Sequence, residues 1–197
     1  MSGRIAWRAG LAGGLGGGAN ATLCYLRIPV PIHDTAVNLQ WHVIPAGCAH
    51  GALLALVAGA AFQWAARRGA AVQWCAVILV AWFGGYLAWI PLDLSVTSSS
   101  LGQSLTWPAK SQPEITAILW TPVAYFGAVA GLLYASLLLA RTVDRRWMPL
   151  AGAIAAGTLG SLWWWIQWGP WYFSLLHGSL WGGLVGLALS RGDRGDR

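Results

Sequence analysis

Hydrophobic residues along this chain come in long blocks, and the polar residues gather in the intervals between them. A helix rising 1.5 Å per residue needs about 20 mostly apolar residues to cross a bilayer. The pattern predicts six such helices, over residues 9–30, 41–65, 71–93, 116–140, 148–168 and 170–190. The last two are separated only by QWGPW, where Gly169 and Pro170 force a tight reversal. One long polar interval, 94–115, LSVTSSSLGQSLTWPAKSQPEI, reads as a surface loop. The expected fold is all-α: one integral membrane domain over 1–197, with six spans arranged as three hairpins.

Charge orients that threading. Arg4, Arg8, Arg67, Arg68, Arg141, Arg145, Arg146, Arg191, Arg194 and Arg197 fall on one side, with Arg27 and Lys110 on the other. Cationic side chains are retained in the cytoplasm, so both termini are expected there. An odd number of crossings would mix the two groups. The expected location is a multi-pass position in a membrane of the bacterial inner-membrane type.

Composition agrees. The 197 residues are 57% hydrophobic and 9% charged, against roughly 25% charged in an average globular chain. The net charge of +6 does not point to nucleic acid, because the basic residues lie between or beyond the apolar blocks. They form topology signals and no basic face with a stacking platform. Tryptophans are expected in two interfacial belts. Trp41, Trp89, Trp120, Trp163, Trp164, Trp165, Trp168 and Trp171 fall at the outer boundary, and Trp7, Trp64, Trp74 and Trp147 at the inner one.

The N-terminus imitates a signal peptide, with Arg4 and Arg8 before a Gly-rich run and Ala19-Asn20-Ala21 as a cleavage pattern. Apolar character continues to Val30, so an uncleaved first span is expected. The NAT triplet at Asn20 matches a glycosylation sequon but carries no such meaning inside a span. Cys24, Cys48 and Cys75 show no metal or redox spacing and read as free thiols among helices. Cys24 and Cys48 share the outer half of their helices, so a disulfide between them is a question for geometry.

Small residues recur every four positions in the helices. The second span carries Gly47, Gly51, Ala55 and Gly59; the fourth Gly127, Gly131 and Ala135; the sixth Ser174, Gly178, Gly182 and Gly186. The first carries Gly10, Gly14 and Gly18, and the fifth Gly152, Ala156 and Gly160. Four-residue spacing keeps each series on one face, where missing side chains let a neighbouring backbone approach. Aligning His50-Gly51 with His177-Gly178 makes the even-numbered spans look like copies of one hairpin.

That alignment singles out His50 and His177, each about 9–14 Å below the outer boundary and one position from its seam. An ionisable group at such depth finds a partner and is a functional candidate. Neutral imidazoles could hydrogen-bond across helices, or the pair could ligate a haem iron or a transition metal, both of which accept imidazole. His33 and His42, in the outer loop and at the start of the second span, are further candidates for a metal. A proton path is disfavoured, since no Asp or Glu lies centrally in a span; Asp93 ends one, and Asp34 and Glu114 lie outside.

AGCAHGALL in the second span, FGAVAGLLYA in the fourth and LLHGSLWGGLVG in the sixth resemble the core of the rhomboid intramembrane proteases. The resemblance implies His177 as the base partner of a serine in a GxSG motif. Here Gly127–Gly131 reads GAVAG with no serine, and Leu54 stands where the family has an asparagine. It therefore implies a non-proteolytic relative at most. No other complete catalytic motif is present.

The first expectation for function is an accessory or structural subunit, embedded in the lipid bilayer and associating with other membrane subunits or with itself. Two alternatives stand beside it. One is a haem- or metal-binding redox protein using His50 and His177; the other is a carrier or channel for a small neutral or lipophilic solute.

Overall fold

A computed structural model describes residues 4–26, 41, 43–84, 128–140, 144–167 and 171–191. All regular structure among these residues is helical. Helix α1 runs Arg4–Tyr25 and α2 runs Val43–Ala65. Helix α3 runs Ala70–Leu79 and widens into a π turn over Val80–Gly84. Helix α4 is described over Ala128–Ala140. A 3-10 turn, Arg145–Trp147, leads into α5, Met148–Gln167, and α6 is Trp171–Arg191.

The ends follow from local chemistry. Helix α1 begins five residues before the expected start and takes in Arg4, Trp7 and Arg8. It stops at Tyr25, four residues short of Pro29, which cannot continue a helix. Pro45 and Pro149 stand in the first turns of α2 and α5, where their missing N–H has no helical partner to lose. The Asp144 carboxylate accepts the Arg146 backbone N–H at 3.0 Å and caps the turn that starts α5. The end of α2 is closed by Gln73, whose side-chain amide donates to the Ala65 carbonyl at 3.2 Å. The 94–115 loop, and the parts of the third and fourth spans at 85–93 and 116–127, lie outside the described residues.

Packing is built on missing side chains. Helices α1 and α2 run antiparallel, with Gly47 against Gly17 and Ala21, and Gly59 against Ala6 and Ala9. A Cβ on Gly51 would sit 2.9 Å from the Gly17 Cα and overlap the Gly13 carbonyl. Helices α5 and α6 repeat the arrangement. Gly178 lies on Ala156 and Gly157, Gly182 on Gly152 and Ala156, and Gly186 on Met148 and Pro149. The four-residue series expected in the second and sixth spans are thus the contact lines of their hairpins.

In α1 the tight line is Gly13 and Gly17, one register from the expected Gly10, Gly14 and Gly18, which flank it against Leu56, Ala52 and Cys48. In α5 it is Gly152, Ala156 and Gly157. The Ser174, Gly160 and Gly127 contacts lie outside the described side chains.

Helix α1 also packs along α6, joining the two hairpins, whereas α2 meets α6 only briefly. Leu54, Ala58 and Phe62 of α2 and Ala76, Val77 and Val80 of the α3 segment belong to the buried core, as do Leu132, Leu133 and Leu137 of α4. Helix α4 reaches both neighbours: Tyr134 stacks on Trp74 of α3 with ring centroids 5.0 Å apart, and Leu132 lies against Gly152 of α5.

One segment among the described residues, Gly47–Ala65 of α2, is long and apolar enough to cross a membrane by length and composition. Helix α1, with its six glycines from Gly10 to Gly18, has the length but less apolar surface per residue.

Candidate functional site

The antiparallel registers put the described arginines in one place. The start of α1, the end of α2, the start of α5 and the end of α6 share one end of the bundle. Arg4, Arg8, Arg67, Arg68, Arg145, Arg146 and Arg191 are therefore gathered there. Arg146 pairs with Asp144 at 2.7 Å on an exposed surface, a geometry worth little in free energy. Asp144 is the single acidic side chain among the described residues. Trp7, Trp64, Trp74 and Trp147 are all exposed at this end. Trp41, at the opposite end, is exposed too; the other outer-belt tryptophans, with Arg27 and Lys110, lie outside the described side chains.

A second polar site lies in the other half of the bundle, where α1, α2 and α6 converge. The Asn20 side-chain amide donates to the His177 main-chain carbonyl at 2.9 Å. One helical turn further along α6, the Trp181 indole N–H donates to the Gly51 carbonyl of α2 at 3.3 Å. Trp181 is 7% exposed and lies over Gly16, whose added Cβ would be 3.1 Å from the Trp181 Cα. Ser179 donates to the Ala153 carbonyl at 3.2 Å, tying α6 to α5. Three polar contacts and two seams therefore converge on one stretch of α6.

His50 and His177 flank this junction. His50 immediately precedes Gly51, and His177 stands four residues before Trp181. The Nε2 of each is buried, as is the Asn20 Oδ1. Helix α1 fills most of the interval between α2 and α6, and the Trp181–Gly51 bond closes part of the rest. Among the described residues no group of three or more His, Cys, Asp or Glu side chains is disposed to hold a metal ion. His33 and His42 lie outside the described residues.

Cys48 carries a free thiol with its Sγ against Gly18, and Cys75 is free and exposed. The Cys48 side chain turns into the space that Gly18 leaves open, and the Cys24 side chain lies outside the described side chains.

Asn20 and Trp181 are the functional-site residues that sequence reasoning passed over. Asn20 had a signal: a lone carboxamide inside an apolar span is a hydrogen-bonding tie before it is a sequon. Trp181 had one too, since it is placed away from both interfacial belts.

No protein-family model matches the chain, and no match was found among curated proteins or solved structures.

Proposed function

We propose that this chain is a six-span membrane protein with both termini in the cytoplasm, acting as an accessory or structural subunit of a larger membrane assembly. The observation that carries the membrane part is the outward aim of bulky apolar side chains on every described helix. Leu15 of α1, Leu56 of α2, Ile78 of α3, Leu138 of α4, Ile154 of α5 and Leu176 of α6 are all exposed. Water would penalise so continuous an apolar surface, and soluble monomers rarely present one. Hydrocarbon accepts it without cost. The gathering of seven arginines at one end supports the orientation.

The accessory role is supported by how the polar groups are used. Asn20, Trp181 and Ser179 are spent on joining helices. What the protein offers its surroundings is an apolar, aromatic-banded exterior, suited to lipid and to neighbouring spans. Topology is tested by maleimide labelling of single cysteines placed at Arg67 or Arg191 in a Cys-free variant. Reaction from the cytoplasmic side alone is expected; labelling of either position from outside intact cells overturns the orientation. The association is tested by extraction in mild detergent, with co-purification of one or more membrane proteins at stoichiometric level expected. Solute flux catalysed by the isolated protein in liposomes would replace this reading with a carrier.

A further inference from the structure

We propose that the outward groove between α1 and α6 receives a membrane-spanning helix of a partner subunit whose cytoplasmic end carries Asp or Glu. The proposal rests on the accessory-subunit reading above and names the docking surface and the partner's chemistry.

Two contacts fix how α1 lies along α6. Gly16 is opposite Trp181, and Asn20 is opposite His177. Both give one antiparallel register, which sets Arg191 level with Ala6, between Arg4 and Arg8. Arg4, Arg8, Leu11 and Leu15 share the face of α1 turned away from its α2 contacts, and all four are exposed. Leu176, Leu180, Leu187 and Arg191 share the face of α6 turned away from its α5 contacts. Leu176 and Arg191 are exposed and the other two half-buried. Leu184 meets Gly16 between these faces. Together they line one groove, with leucine walls and three arginines at its inner end.

The pattern of the walls favours a helix as occupant. The α1 residues are spaced four, three and four apart, and those of α6 four, seven and four. Both follow the seven-residue repeat of a helix seam, into whose holes another helix sets its side chains. From Leu176 to Arg191 the groove runs about 22 Å at 1.5 Å per residue. A lipid of one leaflet fills only about half of a roughly 30 Å hydrocarbon layer, whereas a spanning helix fills all of it.

Charge selects among helices. No Asp or Glu lies on α1 or α6, and Arg4, Arg8 and Arg191 form no ion pair among the described residues. An apolar helix end laid over them would strip their water without replacing it. A carboxylate on that end replaces the lost water with paired N–H bonds to the guanidinium fork. A second copy of this chain, threaded the same way, would bring arginine against arginine, so the occupant is a different chain.

The test uses the full chain in phosphatidylcholine vesicles and a synthetic spanning peptide of about 20 leucines and alanines. Three forms of the peptide end in three Glu, three Gln or three Lys, and association is read by energy transfer. The Glu form is expected to bind about tenfold more tightly than the Gln form, and the Lys form more weakly than either. Arg4→Gln, Arg8→Gln and Arg191→Gln together should abolish the preference. In a Cys-free background, Leu15→Cys should cross-link to a cysteine at the centre of the peptide, and Leu150→Cys on α5 should not.

Equal binding of the Glu and Gln forms overturns the proposal, as does cross-linking from Leu150→Cys equal to that from Leu15→Cys. Displacement of the Glu peptide by a minority of phosphatidylglycerol assigns the arginines to lipid headgroups and overturns it too. Stoichiometric membrane partners that the triple Gln variant retains in full defeat this surface and leave the accessory reading standing. Binding of the Glu peptide by a protein that co-purifies with no partner defeats the accessory reading alone.

Discussion

The indole N–H of Trp181 donates to the main-chain carbonyl of Gly51 at 3.3 Å, tying α6 to α2 at a residue whose bare face is pressed against α1. Gly51 thus has two separate functions. Its lack of a side chain admits the α1 backbone, and its carbonyl accepts a bond from the opposite hairpin.

Trp181→Phe isolates the second function, since the phenyl ring fills much of the same volume without the N–H. The expected loss is about 0.5–1.5 kcal/mol, the net worth of one hydrogen bond between helices. Trp181→Ala also opens a void over Gly16 and should cost about 3–5 kcal/mol. Equilibrium unfolding in mixed detergent micelles measures both. Equal losses in the two variants would show that the hydrogen bond, and not the ring, dominates.

Gly51→Ala isolates the first function. The new Cβ would meet the Gly17 Cα at 2.9 Å and the Gly13 carbonyl, both main-chain atoms that can yield only if the helices part. Overpacking of this kind costs about 1–3 kcal/mol. Gly69→Ala is the control, because nothing lies within 4 Å of a Cβ there and its φ of −64° suits any residue. That variant should stay within about 0.5 kcal/mol of the parent. A Gly51→Ala protein as stable as Gly69→Ala would mean that α1 and α2 are less closely packed than described.

The contrast between these glycines also indicates what the sequence made legible. The seam of α2 could be read because Gly47, Gly51, Ala55 and Gly59 are small residues in a single register. The seam of α1 could not, because GGLGGG offers glycine in adjacent registers and only the partner helix chooses between them. The gathering of Arg4, Arg8, Arg67, Arg68, Arg145, Arg146 and Arg191 at one end was legible because the positions of charged residues between apolar blocks are a property of the chain itself. The Trp181–Gly51 and Asn20–His177 ties join positions 130 and 157 residues apart, and no local pattern encodes such pairings. His50 and His177 were singled out by their place in the repeat. The convergence of Asn20 and Trp181 on the same stretch of α6 emerges only in three dimensions.

The thiols give a simple chemical check. Cys48 and Cys75 carry free thiols. Protein denatured without reductant should titrate three thiols with a maleimide, and Cys48→Ser should remove one of them. A titre of one would mean an intramolecular disulfide and would place Cys24 and Cys48 within bonding distance.

The Asn20–His177 bond ends on a main-chain oxygen, which makes its contribution separable from the imidazole. Asn20→Asp removes the donor and brings a carboxylate into the buried junction, and a charge within a span costs about 2.5–3.5 kcal/mol. Asn20→Leu removes the donor but also the buried Oδ1, which accepts no hydrogen bond among the described residues. Its expected cost is lower, about 1 kcal/mol or less, because no polar group of residue 20 is then left buried without a partner. His177→Ala keeps the carbonyl, so its effect should add to that of Asn20→Leu within about 0.5 kcal/mol if the imidazole acts separately. Strong non-additivity would show that ring and carboxamide form one network. The same His177→Ala protein, with His50→Ala, decides whether the imidazoles ligate anything. A Soret band or bound metal in the parent protein that both substitutions abolish would assign them to a redox centre. Unchanged spectra and metal content, with altered unfolding alone, would leave them as groups that hold α2 and α6 in place.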